Sequence, residues 1–201
     1  MICLTICYVL ENTLYINLTN RCTNRCTFCV RDKDCGIGDV NLWLEKEPTK
    51  EEIIKDIDAF NPNRYDEVVF CGYGEPTMRL EVLLFCAAHI KKTYGAKIRI
   101  NTNGQANLYY KKDITPQFSG LIDVVSISLN AKNAEEYDAL CKSIYGKEGF
   151  FGMIDFAKAC KKYVDTVIMS VVDILPQEDI AACQKIAEEA GARLRVRALI
   201  E

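Results

Sequence analysis

The sequence predicts an α/β fold in which parallel strands roll into a partial (βα)6 barrel behind an N-terminal β-hairpin. Three observations predict it. Strand-like and helix-like segments alternate along the chain. Several strands carry one polar face, whereas strands covered on both sides of a flat parallel sheet are apolar throughout. Polar groups from several strands also share a side, as on the concave wall of a curved sheet that holds a polar ligand.

The apolar runs Leu4 to Leu10 and Leu14 to Leu18, separated by the short turn Glu11-Asn12-Thr13, make the hairpin. A long polar loop leads to a helix over Lys50 to Phe60, with Thr49 as N-cap, Glu52 as capping-box partner and Pro48 just before. Further strands are expected at Glu67 to Cys71, Lys97 to Asn101, Asp123 to Leu129, Thr166 to Val172 and Leu194 to Ile200. Between them lie helical patterns: Arg79 to Tyr94 stopped by Gly95, a short one at Asn107 to Lys112, Ala134 to Ser143, Phe151 to Tyr163, and Gln177 to Ala190 stopped by Gly191.

The polar faces are Tyr15, Asn17 and Thr19; Arg99 and Asn101; Ser126, Ser128 and Asn130; and Arg193, Arg195 and Arg197. Opposite them stand Ile16 and Leu18; Ile98 and Ile100; Val125, Ile127 and Leu129; and Leu194 and Val196, expected under helices. For the last strand, which no helix follows, an edge facing water is the competing reading. In such folds the chemistry sits at the C-terminal ends of the strands.

The chain has 201 residues, 49% hydrophobic and 26% charged, without repeats or a linker, so a single domain over 1–201 is expected. Folding at this length buries roughly 70% of the unfolded surface, enough for a core without disulfides. The 11 cysteines therefore read as reduced cytosolic thiols, some of them metal ligands. The opening MICLTICYVL lacks the basic start and cleavage site of a signal peptide, and no apolar run approaches the ~18 residues of a membrane span. A soluble, cytoplasmic protein is the expectation. The net charge of -3 argues against a broad basic surface for nucleic acid.

The strongest local signal is the CxxxCxxC spacing of Cys22, Cys26 and Cys29 in the loop after Leu18. Such a loop can aim three thiolates at one iron–sulfur cube and leave the fourth iron without a protein ligand. Arg21, Arg25 and Arg31 flank it, and positive charge favours thiolate over thiol. The spacing favours an iron–sulfur cluster, with zinc and plain buried cysteines as the alternatives. The second signal is Cys71-Gly72-Tyr73-Gly74-Glu75-Pro76, where the glycines permit positive φ and close backbone approach to a ligand and Glu75 adds a carboxylate. It lacks the residues of a nucleotide P-loop, and alone it reads as an ordinary strand-to-helix turn.

The two signals in this order resemble the radical S-adenosylmethionine (SAM) superfamily, in which CxxxCxxC follows the first barrel strand and GxGEP the second. The likeness extends to Asn101-Thr102-Asn103-Gly104, similar to the TNG turn of these enzymes, and to the strand end Ser126 to Asn130. At finer grain the hairpin before LTNRCTNRCTFCVRD, the NLWLEKEPT stretch, and NTNG, SISLNA and RVRALIE resemble the TatD-family-associated radical SAM proteins.

This resemblance implies that Cys22, Cys26 and Cys29 hold a 4Fe-4S cluster whose open iron is chelated by SAM. Gly74 and Glu75 would receive the methionyl ammonium, with Gly72 in the same turn. Ser128 and Asn130 would reach the ribose or carboxylate, the Phe28 backbone would contact adenine, and Asn101 would line the cofactor site. Ser170, Arg195 and Arg197 are candidates for SAM or an anionic substrate, and no catalytic residue is assigned. Reductive cleavage of SAM would release a 5'-deoxyadenosyl radical that abstracts hydrogen from a substrate the sequence does not identify. A flavodoxin or ferredoxin would donate the electron, and the subgroup name implies a TatD-type hydrolase nearby. A glycyl-radical activating enzyme and a non-catalytic iron–sulfur or zinc module are the competing functions.

Other notable residues take plainer readings. Cys86, Cys160 and Cys183 fall in helical patterns and are expected in the core. Cys3 and Cys7 lack a third partner for an auxiliary cluster, and Cys35 reads as an exposed loop thiol. His89, the one histidine, lies on a helix away from the strand ends and is expected to be structural. Trp43 reads as packing, with a pocket cap as the alternative. The lysine pairs at 91–92, 111–112 and 161–162 suit helix ends.

Overall fold

The computed structural model describes residues 5–32 and 40–198. Strands β1 (Cys7–Leu10) and β2 (Thr13–Ile16) form the hairpin, with Glu11 at φ 52 in its turn. Helix α1 (Lys50–Phe60) follows, then β3 (Glu67–Phe70), α2 (Leu80–Tyr94), β4 (Ile98–Thr102) and the short α3 (Ala106–Tyr110). The remainder runs β5 (Val124–Ser128), α4 (Ala134–Cys141), α5 (Glu148–Cys160), β6 (Thr166–Val172), α6 (Gln177–Glu189) and β7 (Arg193–Arg197).

The seven strands form one sheet in the order β1 to β7. Only the β1–β2 pair is antiparallel; every later pair is parallel, the expected partial barrel with its hairpin. The expected elements are all present among the described residues, with ends displaced by a few residues; Leu4 of the first expected run and the expected reach of the last strand to Ile200 lie outside the described residues. Thr49 and Glu52 make the capping box, with Glu52 N donating to Thr49 Oγ1 at 3.2 Å and Thr49 N to Glu52 Oε2 at 2.8 Å. Before α2, Pro76–Arg79 form a 3-10 turn rather than helix.

The helix-covered face of the sheet is apolar. Leu14, Ile16, Val68, Phe70, Ile98, Ile100, Val125, Ile127 and Met169 are all completely buried in the main core. That core also takes up Cys86, Cys160 and Cys183, as expected. Burial pushes the Cys86 thiol up to about 12 and that of Cys183 up to about 11. Cys7 is buried in the same core; Cys3 and Cys35 lie outside the described residues.

The concave face carries the polar row. Arg99 pairs with Glu67 at 2.8 Å at the lower end, and Tyr15 stacks on Tyr8 with ring centres 5.1 Å apart. Tyr8, Leu42 and Tyr73 form a second small apolar cluster, and Tyr8 donates to Cys71 O at 3.2 Å. Trp43 lies edge-on to Tyr73 and stays 45% exposed, so it covers that cluster without entering the core. His89 meets Asp58 at 2.7 Å between α1 and α2, consistent with a structural role.

The last strand departs from the expected apolar face. It is the edge of the sheet among the described residues, and Val196 is 46% exposed, while Leu194 packs against the core. The loop after β2 is braced by Glu47, which accepts from Thr19 Oγ1 at 2.6 Å and Arg21 Nε at 2.7 Å, with Arg79 Nε at 3.5 Å. Arg79 also donates to Leu18 O and Pro48 O, both at 2.9 Å. Burial alone would raise the Glu47 carboxyl; the bonds from Thr19 and Arg21 outweigh it and hold it below the ordinary value.

A carboxyl held low in the folded chain contributes stability above its unfolded pKa of about 4.3 and loses it as pH falls through the folded value. The urea midpoint of the wild type should therefore exceed that of Glu47→Gln at pH 7, and the gap should close as the buffer is taken below pH 4. A gap that does not change with pH would mean that the brace acts through shape and not through charge.

Candidate active site

Three loops meet at the C-terminal end of the sheet: the cysteine loop after β2, the turn after β3 and the Asn103-Gly104 turn after β4. The first two are in direct backbone contact. Glu75 N donates to Arg21 O at 2.7 Å, and a Cβ on Gly74 would lie 2.2 Å from Thr19 O and 2.6 Å from Arg21 O. A Cβ on Gly72 would lie 2.0 Å from Asn17 Oδ1. Neither glycine has positive φ, which corrects that part of the expectation. They are small because the protein's own loops press against them.

Glu75 is buried among donors from two loops. Its Oε1 accepts from Thr77 N at 3.0 Å, Thr77 Oγ1 at 2.6 Å and Thr102 Oγ1 at 2.7 Å, and its Oε2 from Asn103 N at 2.7 Å. Burial pushes its carboxyl up, and these donors pull it back toward the ionised form. Asn103 reaches further, with Nδ2 donating to Thr23 Oγ1 at 2.7 Å and lying 3.7 Å from Cys22 Sγ. The carboxylate is thus one link from the first cysteine.

The far side of the cysteine loop is held by α4. Arg25 N donates to Cys141 O and Thr27 N to Leu140 O, both at 2.9 Å, and Ile144 N donates to Thr23 O at 2.9 Å. Gln105 Nε2 donates to Asn24 Oδ1 and to the Tyr137 hydroxyl, both at 2.9 Å, and Asn24 Nδ2 donates to that hydroxyl at 3.2 Å. Asn24, Gln105, Tyr137 and Cys141 were not among the expected site residues; no local motif marks them.

Cys22, Cys26 and Cys29 are all at intermediate burial, and none of them is in a disulfide among the described residues. Burial pushes Cys22 up to about 12, with the Glu75 charge adding to it. The neighbouring Cys141 thiol, together with burial, raises Cys26 well above the usual thiol range. Metal binding here must therefore displace protons. Among the described residues no three His, Cys, Asp or Glu side chains converge as the ligands of one ion would. A cluster takes each thiolate at a different iron, and three thiols outside any disulfide on one braced loop are the donor set it needs.

The strand ends supply acceptors. Asn101 Oδ1 and Asn130 Oδ1 are buried without a hydrogen-bond partner, as a donor-bearing ligand would require. Asn130 is 5% exposed and sits at φ 60, a left-handed conformation that asparagine tolerates. Ser126 and Ser170 are buried and Ser128 partly so; the Ser170 hydroxyl donates to Ile127 O at 3.4 Å. Phe28 is half-buried in the turn between Cys26 and Cys29.

Arg195 is exposed and Arg197 half-buried. Burial holds the Arg197 guanidinium below its ordinary value, and the sulfurs of Cys71 and Cys26 act on it from across the face. Register places Arg195 beside Ser170 and Arg197 beside Val172. The structure therefore brings the expected cofactor-binding residues to one end of one sheet, with Arg195 at its outer margin.

A family model described as the Radical SAM superfamily matches residues 16–190. A probable GTP 3',8-cyclase from Thermococcus kodakarensis is 27% identical over 185 residues, covering 91% of this chain and 55% of that protein. A GTP 3',8-cyclase from Corynebacterium glutamicum is 29% identical over 189 residues, covering 90% of this chain and 47% of that one. The chain thus spans about half the length of these curated relatives.

Among solved structures, a radical SAM methyltransferase from Sphaerobacter thermophilus superposes with a TM-score of 0.66 at 14% identity, over 96% of this chain and 57% of its own. Streptococcus suis SuiB bound to S-adenosylmethionine gives 0.61 at 18% identity, over 93% and 38% respectively. These likenesses show the fold, and the family match covers the three-cysteine loop, the glycine turn and the strand ends together. The chain belongs to the radical SAM superfamily of enzymes.

Proposed function

We propose that the chain cleaves S-adenosylmethionine reductively with a 4Fe-4S cluster held by Cys22, Cys26 and Cys29, and that the 5'-deoxyadenosyl radical takes hydrogen from an anionic substrate. Two buried acceptors without a hydrogen-bond partner carry this reading, Asn101 Oδ1 and Asn130 Oδ1, on strands of the sheet from which the cysteine loop leaves. A non-catalytic electron carrier has no use for those acceptors. Members of this superfamily use a 4Fe-4S cluster and SAM, and when bound the reduced cluster supplies the electron that breaks the sulfonium bond.

The chain's own residues bind and orient. Glu75 Oε2 accepts one bond, from Asn103 N, and keeps a second acceptor direction for the methionyl ammonium beside Gly74. Asn130 and Ser128 take the ribose or carboxylate, the Phe28 backbone takes adenine, and Gly72 and Asn101 line the same floor. Ser170 offers a lone pair, its proton being given to Ile127 O. The Tyr8, Leu42 and Tyr73 cluster keeps water from the side next to β1.

Arg195 and Arg197 form no ion pair with a carboxylate among the described residues and are assigned to the substrate's negative charge. The curated relatives are named for GTP, a polyanion, which agrees with that assignment. A flavodoxin or ferredoxin is the proposed electron donor. The NLWLEKEPT and RVRALIE stretches support the finer placement with TatD-associated proteins, and with it a TatD-type hydrolase as partner.

After anaerobic reconstitution with iron and sulfide, wild-type protein given SAM and dithionite should form 5'-deoxyadenosine, detected by mass spectrometry, and Cys26→Ala should form none. Absence of the product from wild type with a confirmed four-iron cluster would sink the proposal. Asn130→Gly keeps the backbone conformation and removes one hydrogen bond, about 1 kcal/mol, so SAM should bind roughly five- to tenfold more weakly by equilibrium dialysis. Gly74→Ala forces the two loops apart and should destabilise the chain by roughly 1–3 kcal/mol in urea unfolding.

A further inference from the structure

We propose that Asn103 is a positioning residue for Cys22: its side-chain amide donates a hydrogen bond to the Cys22 sulfur and raises the reduction potential of the cluster that Cys22 ligates. This rests on the reading of Cys22, Cys26 and Cys29 as cluster ligands.

Asn103 follows β4, is 7% exposed, and lies outside the CxxxCxxC motif. Its backbone N–H donates to Glu75 Oε2 at 2.7 Å, and its Oδ1 accepts from Gln105 N at 3.0 Å. That second bond fixes which end of the amide is oxygen, so the nitrogen is the end that faces the cysteine loop. Nδ2 carries two hydrogens and has two acceptors there, Thr23 Oγ1 at 2.7 Å and Cys22 Sγ at 3.7 Å. The contact to sulfur is long beside an N–H···O bond because sulfur is the larger atom.

The chemistry of the two groups sets the direction of the bond. An amide N–H only donates, and ligation of iron removes the proton of Cys22, so the sulfur becomes a thiolate and the bond charge-assisted. A donor on a cluster thiolate withdraws charge from it and favours the cluster that holds one more electron; hydrogen bonds to the sulfurs are among the factors that set such potentials. No proton moves along this bond when that electron enters. Asn24 N is a second donor to the same sulfur, at 3.4 Å, but it belongs to the cysteine loop itself. The Asn103 amide is brought to the sulfur from 81 residues away by the end of β4.

Asn103 also joins two parts of the site. Its backbone holds Glu75, assigned above to the methionyl ammonium, and its side chain holds Cys22, so one residue sets the spacing between the carboxylate and the first sulfur. Thr23 separates this effect from simple bracing of the loop. Its hydroxyl takes the shorter bond from Nδ2 and anchors the loop to β4, yet it is not a cluster ligand. Removing that hydroxyl loosens the loop and leaves the donor to sulfur in place. Removing the Asn103 amide takes away both.

The test is a redox titration of the anaerobically reconstituted full chain, followed by electron paramagnetic resonance, after assay of iron and sulfide. Asn103→Ala keeps the backbone bond to Glu75 and should titrate at a lower potential, with the ratio of reduced to oxidised cluster at the wild-type midpoint about three- to tenfold smaller. Thr23→Val should load the cluster and titrate at or above the wild-type potential. If Asn103→Ala does not fold, Asn103→Asp, which has the same shape and keeps the acceptor for Gln105 N, should lower the potential in its place.

An Asn103→Ala or Asn103→Asp potential equal to wild type, at full cluster content, would overturn the proposal while leaving the cluster reading intact. So would a drop in Thr23→Val as large as that in Asn103→Ala, since a loosened loop would then account for both. Failure of wild type to take up a four-iron cluster would overturn the cluster reading itself, and the proposal with it.

Discussion

Glu75 places a carboxylate where water does not reach, and an isolated buried charge of that kind would be untenable without nearby donors. The donors come from Thr77 on its own turn and from Thr102 and Asn103 at the end of β4, while its backbone N–H is committed to Arg21 O. Three segments distant in sequence therefore share one point of attachment. Truncating the side chain would orphan the amide of Asn103 and the hydroxyls of Thr77 and Thr102 at once, so the ends of β3 and β4 and the cysteine loop are fixed relative to one another or not at all.

The opposite flank of the cysteine loop is fixed by a different chemistry. There the carbonyls that end α4 have no partners within the helix, and two of them accept from the loop's backbone amides. The Tyr137 hydroxyl adds bonds from Gln105 and Asn24 beneath. A loop that would otherwise sample many conformations is thereby clamped between a carboxylate on one side and a helix end on the other. Such preorganisation is what a site holding a cofactor through several weak contacts requires.

Much of this was legible in the residues. The alternation of strand and helix, the capping box at Thr49 and the polar strand faces all follow from side-chain periodicity, and the structure repeats them. The cysteine spacing marked the loop because the relevant residues lie close together in sequence. No motif marks Cys141, since its partner Asn130 comes from another part of the chain. Glu47 sits in a stretch with no cap or turn pattern, and its role depends on Thr19 and Arg21 meeting it in space. The glycines of the turn were recognisable, but spacing does not reveal whether small size or positive φ is demanded. Val196 alternated correctly and remained exposed, because periodicity assigns a face without saying what covers it.

The contact between the cysteine loop and α4 also orders events during synthesis. Asn24 finds Tyr137 across 113 residues of chain, so the loop emerges from the ribosome well before the helix that clamps it. Contacts of such long range form late, after the intervening strands have paired. The three thiols of the loop therefore spend the early life of the chain in solvent, chemically accessible and structurally unconstrained. Their environment becomes that of a site only when the middle of the sheet is complete, which makes the maturity of β4, β5 and α4 the gate through which any metal delivery to this loop must pass.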